Sequence, residues 1–216
     1  MIEAVVTGSA GGIGKAIAER FLAAGCRVYG VDREKSAIRH PEYRHFRRDI
    51  RKGRPEGIPD PEILVNNAGT LDEDLAIAVN LTGTIGFTED FLPGPKLRSI
   101  LFIASASARN GAEFPQYVAS KAGLVGYMKN LALRAAPRGI TVNSISPGGV
   151  VTPANRHILE RQDLYEAVKR ETLLGKWAQP EEVAELAWYL TALNRSITGE
   201  DILMDNGEML RSNFIW

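Results

Sequence analysis

Thr7-Gly8-Ser9-Ala10-Gly11-Gly12-Ile13-Gly14 separates an apolar run, Ile2 to Thr7, from a segment in which Ile13, Ile17 and Phe21 recur every fourth residue. The first run has the continuous aliphatic character of a strand buried on both faces, and the second has helical period. Gly25 stops that helix and Arg27 to Val31 reads as a second strand, which completes a βαβ unit. Glycines at the strand-to-helix junction let the backbone turn tightly, let a diphosphate approach the main chain and let helix pack close to strand, while the phosphate charge meets the helix N-terminus. Two other glycine-rich turns are excluded by the letters. A P-loop would need glycine at Ser9 and Ser or Thr at Ala16, and the spacing Gly8-x-x-x-Gly12-x-Gly14 is not G-x-G-x-x-G. The turn therefore reads as dinucleotide-binding, with Gly8, Ser9, Gly12, Ile13 and Gly14 as contacts. Asp32 ends the second strand, where a carboxylate can accept from an adenosine ribose and repel a 2′-phosphate, favouring NAD; the adjacent Arg33 keeps NADP open.

Outward from this unit the alternation continues. Ile63 to Asn66, Ser99 to Ala104, Ile140 to Ile145 and Ile202 to Met204 are further short apolar runs. Tyr117 to Arg134 places Leu124, Val125, Met128, Leu131 and Ala132 on one helical stripe before Pro137 and Gly139, and Pro180 to Leu193 carries Glu181 and Glu182 in its first turn. The pattern predicts an α/β fold with a three-layer, doubly wound parallel sheet (Rossmann-like), and no linker or repeat divides residues 1–216. Arg51 to Pro61 departs from the rhythm, because Pro55, Pro59, Pro61, Gly53 and Gly57 leave no room for a good helix.

Composition bounds the function. With 216 residues, 44% hydrophobic and 24% charged, the chain is long enough for a full core and is neither disordered nor fibrous. Twenty-six basic residues against 26 acidic ones argue against a nucleic-acid or acidic-membrane partner. No apolar run approaches bilayer length, Met1 leads into the first strand without a basic leader, and the single Cys26 fits a reducing compartment, so the reading is a cytoplasmic protein. His40, His45 and His157 lack ligand spacing, and no metal is expected.

Thr7-Gly-x-x-x-Gly-Ile-Gly14, Asn66-Asn67-Ala68-Gly69, Tyr117-x-x-x-Lys121 and Pro147-Gly148, in that order, resemble the short-chain dehydrogenase/reductase family in its compact form. The resemblance runs from Thr7 to Asp205-Asn206-Gly207, which stands where the family often has Asp-Gly-Gly. It implies an oxidoreductase passing a hydride between NAD(H) and a secondary alcohol or ketone. Tyr117 would be the acid/base, Lys121 the cation beside it, Ser105 the hydrogen-bond donor to the substrate oxygen with Ser107 as second choice, and Asn80 the residue whose backbone holds a relay water. Four positions apart on a helix, Tyr117 and Lys121 project from one face, so an ammonium can support a phenolate whose free pKa is about 10. The resemblance further implies cofactor contacts from Asp49, Asn67, Ala68, Gly69, Tyr117, Lys121, Pro147, Gly148, Val150 and Thr152, with Asp49 at the adenine and Thr152 at the carboxamide. The alternatives are an NADPH-dependent carbonyl reductase and a non-catalytic dinucleotide sensor.

The chain also departs from the family. Eleven residues separate Ser105 from Tyr117, one fewer than usual, and ten separate Gly69 from Asn80, too few for a full helix between them. Together with Arg51 to Pro61 this predicts shortened crossovers around the third and fourth strands, both on one side of the sheet, at the adenine end. Arg44, Arg47, Arg48, Arg51, Lys52 and Arg54 read as a solvated charged edge, with capture of a 2′-phosphate as the alternative. Residues 151–175 are expected to cover the substrate, and the apolar Phe214-Ile215-Trp216 to pack on the chain's own core or, the favoured reading, against a neighbouring subunit of a homodimer or homotetramer.

Overall fold

Seven parallel strands lie in the order β3-β2-β1-β4-β5-β6-β7 in the computed structural model, which describes residues 1–210. The expectation placed on Phe214-Ile215-Trp216 lies outside the described residues. The strands are β1 (Glu3–Thr7), β2 (Arg27–Asp32), β3 (Tyr43–Arg47), β4 (Ile63–Asn66), β5 (Ser99–Ile103), β6 (Thr141–Pro147) and β7 (Asp201–Met204). Successive side chains of a strand face opposite layers. Ala4 and Val6 of β1 accordingly enter one core with Ile17 and Phe21, while Val5 enters another with Phe87, Leu124 and Met128. The inner strands are covered on both faces, which is why β1, β2, β4, β5 and β6 are buried almost throughout, whereas the edge strand β3 (Tyr43-Arg44-His45-Phe46-Arg47) is partly exposed and carries no apolar run.

Helices α1 (Gly12–Ala23) and α8 (Pro180–Trp188) line the first layer. The second holds α2 (Glu73–Ala76), a π-helical stretch (Ile77–Gly83) and α3 (Thr84–Glu89), followed by α4 (Ser107–Asn110) and the long α5 (Pro115–Ala135). Two short helices, α6 (Arg156–Leu159) and α7 (Gln162–Arg170), occupy the segment read as a cover, and Trp177 meets Tyr165 edge-on at 5.9 Å. No helix of the described residues is long and apolar enough to cross a membrane.

The shortening differs in detail from the sequence expectation. The segment after β4 does carry a helix: it begins at Glu73, capped by the Asp72 carboxylate, and runs through Asn80 to Glu89, so Asn80 lies inside it rather than beyond it. The crossover from β3 to β4 is one 3₁₀ turn, Ile50–Lys52, and then irregular chain. A third abbreviation was not expected: β2 and β3 are joined without a helix, and Ile38 alone of that loop enters the α1 layer. The cuts therefore fall on both faces of the sheet. Ser36, His40 and Arg39 give that loop polar side-chain bonds to nearby backbone, which compete with helical ones.

Candidate active site

The strand order reverses between β1 and β4, which opens a crevice at the carboxyl ends of the strands. The glycine-rich turn lies on one side of it. Gly8 and Gly12 have φ of 67° and 52°, open to glycine without strain. Gly14 packs so closely that a Cβ there would overlap the Gly8 carbonyl oxygen and the Asn67 amide. Thr7 staples this turn to the segment after β4, its hydroxyl accepting from the N–H groups of Asn67 and Ala68 at 2.9 and 3.0 Å. The N-terminus of α1 receives no side-chain cap and has no acidic residue in its first turn. Uncapped N–H groups beside a turn in which Gly8 and Gly14 leave no room for a Cβ fit the diphosphate of a dinucleotide.

Asp32 is fixed at this turn: one carboxylate oxygen accepts from Ala10 N–H and the other from Glu34 N–H, each at 2.9 Å. Ser9 is buried and shares a 3.0 Å hydrogen bond with Tyr43, whose hydroxyl also meets His45 Nδ1 at 3.1 Å. Tyr43 occupies the place that any side chain on Gly30 would fill, which explains a glycine in the middle of β2. Thr152 lies over the turn, its methyl 3.5 Å from where a Cβ on Gly12 would stand.

The second group of residues gathers on α5 and the ends of β5 and β6. Lys121 is buried, donates to the Ile103 carbonyl at 2.9 Å, and places Nζ 5.7 Å from the centroid of the Tyr117 ring. Burial pushes its ammonium down to about 8, against an upward pull from the Glu113 carboxylate. Burial also pushes the Tyr117 phenol up to about 12; Ser105, hydrogen-bonding it, works the other way, and Glu113 adds to the rise. Desolvation thus outweighs every charge near Tyr117, and the phenol holds its proton in this state. Ser107 donates to Ser105 Oγ at 2.7 Å, leaving the Ser105 proton free for the phenol or a substrate oxygen. Ala106 N–H bonds the Pro147 carbonyl at 2.8 Å and Gly148 N–H the Met204 carbonyl at 3.0 Å, which draws the end of β5 to the Pro147-Gly148 turn. That turn passes so close to Asp205 that a Cβ on Gly148 would lie 3.0 Å from it. Val150 bridges to Ala178, anchoring the far end of the turn.

Asn80 joins the two halves. Its buried amide accepts from Thr70 N–H at 2.8 Å and donates to the Thr70 carbonyl at 2.9 Å and to Ser120 Oγ at 3.1 Å; Ser120 in turn donates to the Tyr117 carbonyl at 2.7 Å. A Cβ on Gly69 would stand 3.2 Å from Asn80 Oδ1 and 3.6 Å from Lys121 Nζ, so Gly69 is flush with both groups. Asp49 does not join them. Both of its oxygens hold Arg51, at 2.6 to 3.1 Å, which keeps its carboxyl below the usual range, and it caps its own 3₁₀ turn. Arg33 follows Asp32 directly, its carbonyl accepts from Arg47 at 2.8 Å, and its charge adds slightly to the lowering at Asp49. No group of three or more His, Cys, Asp or Glu among the described residues could hold a metal ion.

The model of an enoyl-(acyl carrier protein) reductase family matches residues 60–208, and the short-chain dehydrogenase model matches residues 3–45. The chain belongs to the short-chain dehydrogenase/reductase family. The unmatched stretch between the two contains the abbreviated crossover from β3 to β4. A D-beta-hydroxybutyrate dehydrogenase of Rhizobium meliloti is 33% identical over 94% of this chain and 97% of its own length. An uncharacterised short-chain type dehydrogenase/reductase of Sinorhizobium fredii is 32% identical over 95% of this chain but only 43% of its own length. Among solved structures, a 2-deoxy-d-gluconate 3-dehydrogenase assignment from Agrobacterium tumefaciens, with bound NADP, superposes with a TM-score of 0.84 at 28% identity, covering 97% of each chain. As a member of this family the protein is an NAD(P)-dependent oxidoreductase acting on a CH-OH or carbonyl group of a small molecule.

Several residues of the site carry no signal in the sequence read alone. Glu73 and Tyr43 reach the site only through long-range pairing, whereas Thr70, directly after Gly69, and Ser120, directly before Lys121, could have been found by their place in the chain.

Proposed function

We propose that the protein interconverts a secondary alcohol and a ketone using NAD(H), with Tyr117 as acid/base. The observation that carries this reading is the convergence of Tyr117, Lys121 and Ser105 near Gly69, together with an uncapped glycine-rich turn at the start of α1. A bound nicotinamide dinucleotide supplies or accepts the hydride. Tyr117 gives its proton to the carbonyl oxygen during reduction and takes one back during oxidation. Ser105 holds that oxygen, and the Lys121 ammonium steadies the negative charge that forms when the phenol lets go of its proton. Gly8, Ser9, Gly12, Ile13 and Gly14 cradle the diphosphate, Asn67, Ala68 and Gly69 the adenosine side, and Pro147, Gly148, Val150 and Thr152 the nicotinamide end.

Asp32, set at the turn by its two backbone bonds, favours NAD. One observation favours NADP instead: Arg47 and Arg48 direct their guanidinium groups onto the backbone carbonyls of Arg33 and Lys52, leaving positive charge near the end of β2. Asp49, its carboxylate held by Arg51, and Arg33 stand at the adenosine end of the cofactor. Residues 151–175 cover the substrate, with Leu173 and Leu174 exposed on their flank at 60% and 68%. Exposed Leu133, Tyr189 and Leu193 favour a homodimer or homotetramer, and buried Cys26 a reducing cytoplasm.

The test is Tyr117→Phe, assayed by NADH absorbance across a panel of small alcohols and ketones with both cofactors. The variant is expected to bind NADH as the parent does and to lose turnover; a Tyr117→Phe protein that still turned over would end the assignment. Tighter NADPH than NADH binding would transfer the cofactor reading to NADP.

A further inference from the structure

We infer that Glu73 is a positioning residue for Tyr117: its carboxylate clamps the first turn of the helix that carries the acid/base. The inference rests on the reading of Tyr117 given above. An α-helix leaves its first N–H groups without intrahelical partners, and the first turn is where it frays. Tyr117 sits in that turn, as the third residue of α5. The local sequence offers no cap, since Phe114 at the N-cap has no side-chain oxygen. Pro115 has no N–H to satisfy, and Val118 N–H already bonds the Phe114 carbonyl at 2.9 Å. Within the helix itself two orphan donors remain, Gln116 N–H and Tyr117 N–H. Both go to Glu73, Gln116 at 3.1 and 3.2 Å to the two carboxylate oxygens and Tyr117 at 3.2 Å. A carboxylate here also meets the positive end of the helix dipole.

Glu73 is itself held. It opens α2, whose N-cap Asp72 accepts from Asp74 N–H at 3.0 Å; Asp72 N–H bonds Thr70 Oγ1 at 3.1 Å, and Asn80 grips the Thr70 backbone at both its N–H and its carbonyl. The Tyr117 backbone is therefore fixed on both sides, its N–H by Glu73 and its carbonyl by Ser120. The short path of ten residues between Gly69 and Asn80 starts the helix at Glu73, at the end of α5 that bears the tyrosine. The abbreviation at this point thus supplies the cap that Phe114 lacks.

The experiment uses the full chain carrying Glu73→Ala or Glu73→Gln. Glu73→Ala is expected to lower kcat about 10- to 100-fold through misplacement of the phenol, while KM and the NADH dissociation constant stay within about twofold. By NMR, amide exchange at Gln116 and Tyr117 is expected to quicken about tenfold as the cap is lost. Glu73→Gln keeps an acceptor oxygen and is expected to recover kcat to within about threefold of the parent, because the clamp needs an acceptor more than a charge. A parental kcat in Glu73→Ala, or a Gln variant as slow as the Ala variant, would overturn the inference. If exchange quickened without any change in kcat, Glu73 would be a cap and no more, and the positioning role would also fall. Should the parent itself turn over no alcohol or ketone, the acid/base reading fails separately; unaltered exchange in Glu73→Ala would then still refute the clamp.

Discussion

Lys121 takes an ammonium into a position only 5% exposed, where its hydrogen bond is to one carbonyl. Burial lowers its pKa from 10.5 to about 8. Below pH 8 the group is charged in both folded and unfolded chains and the folded state bears the full desolvation cost; between 8 and 10.5 the folded protein has released a proton the unfolded chain still holds, so stability rises with pH. The shift corresponds to roughly 3 kcal/mol, and the Ile103 carbonyl left without its donor would return about 1 to 2. Lys121→Met is therefore expected to stabilise the protein by about 1 to 2 kcal/mol at pH 7, measured by urea denaturation, and to destabilise it by about 1 to 2 kcal/mol at pH 10.5 and above, where only the lost bond to Ile103 counts, while activity disappears. No gain at pH 7 would show that the buried ammonium is not the strained group it is taken to be.

At the scale of elements, the junction of β1 with α1 depends on the absence of atoms. A Cβ on Gly14 would overlap the Gly8 carbonyl oxygen and the Asn67 amide, so helix, turn and the segment after β4 would all have to move. Gly14→Ala is expected to cost about 3 kcal/mol, the upper end for an overpacked site, and to abolish NADH binding measured by fluorescence titration. Gly25 shows the contrast: it has φ of 81° with nothing within 4 Å of its missing Cβ, so its substitution is felt only through backbone strain. Helix α8 is secured by different means, a capping box in which Gln179 and Glu182 satisfy each other's backbone. The glycine turn has no such device, and that absence is what leaves its N–H groups available to an anion.

Across the whole molecule, Asp201 ties the edge strand to the site. Its side chain is 7% exposed; one oxygen accepts from Ser144 Oγ at 2.6 Å and Ser146 Oγ at 2.7 Å, and the other from Arg109 of α4 at 2.9 Å. Strand β7, strand β6 and the helix following Ser105 are thereby joined through one carboxylate. Asp201→Ala leaves two buried hydroxyls and a guanidinium without that partner, and a loss of about 2 to 4 kcal/mol is expected, read as a lower denaturation midpoint with unchanged slope. A change below about 0.5 kcal/mol would mean that water replaces the carboxylate freely.

The parts of this protein legible in its sequence are those whose physics is local. The glycine turn is set by backbone sterics over eight residues, the Tyr117–Lys121 pair by a helical period that places both on one face, and the parallel sheet by strands apolar on both sides. The missed features join residues far apart in the chain: Ser9 with Tyr43 across 34 positions, Glu73 with Tyr117 across 44, and Ser144 with Asp201 across 57. Such pairs depend on strand register and on how closely two elements approach, which are decided only when the layers pack. Whether the phenol keeps its proton is likewise a tertiary result. Spacing alone brings an ammonium near Tyr117, but the desolvation that raises the phenol and lowers the lysine exists only once the core has closed around both.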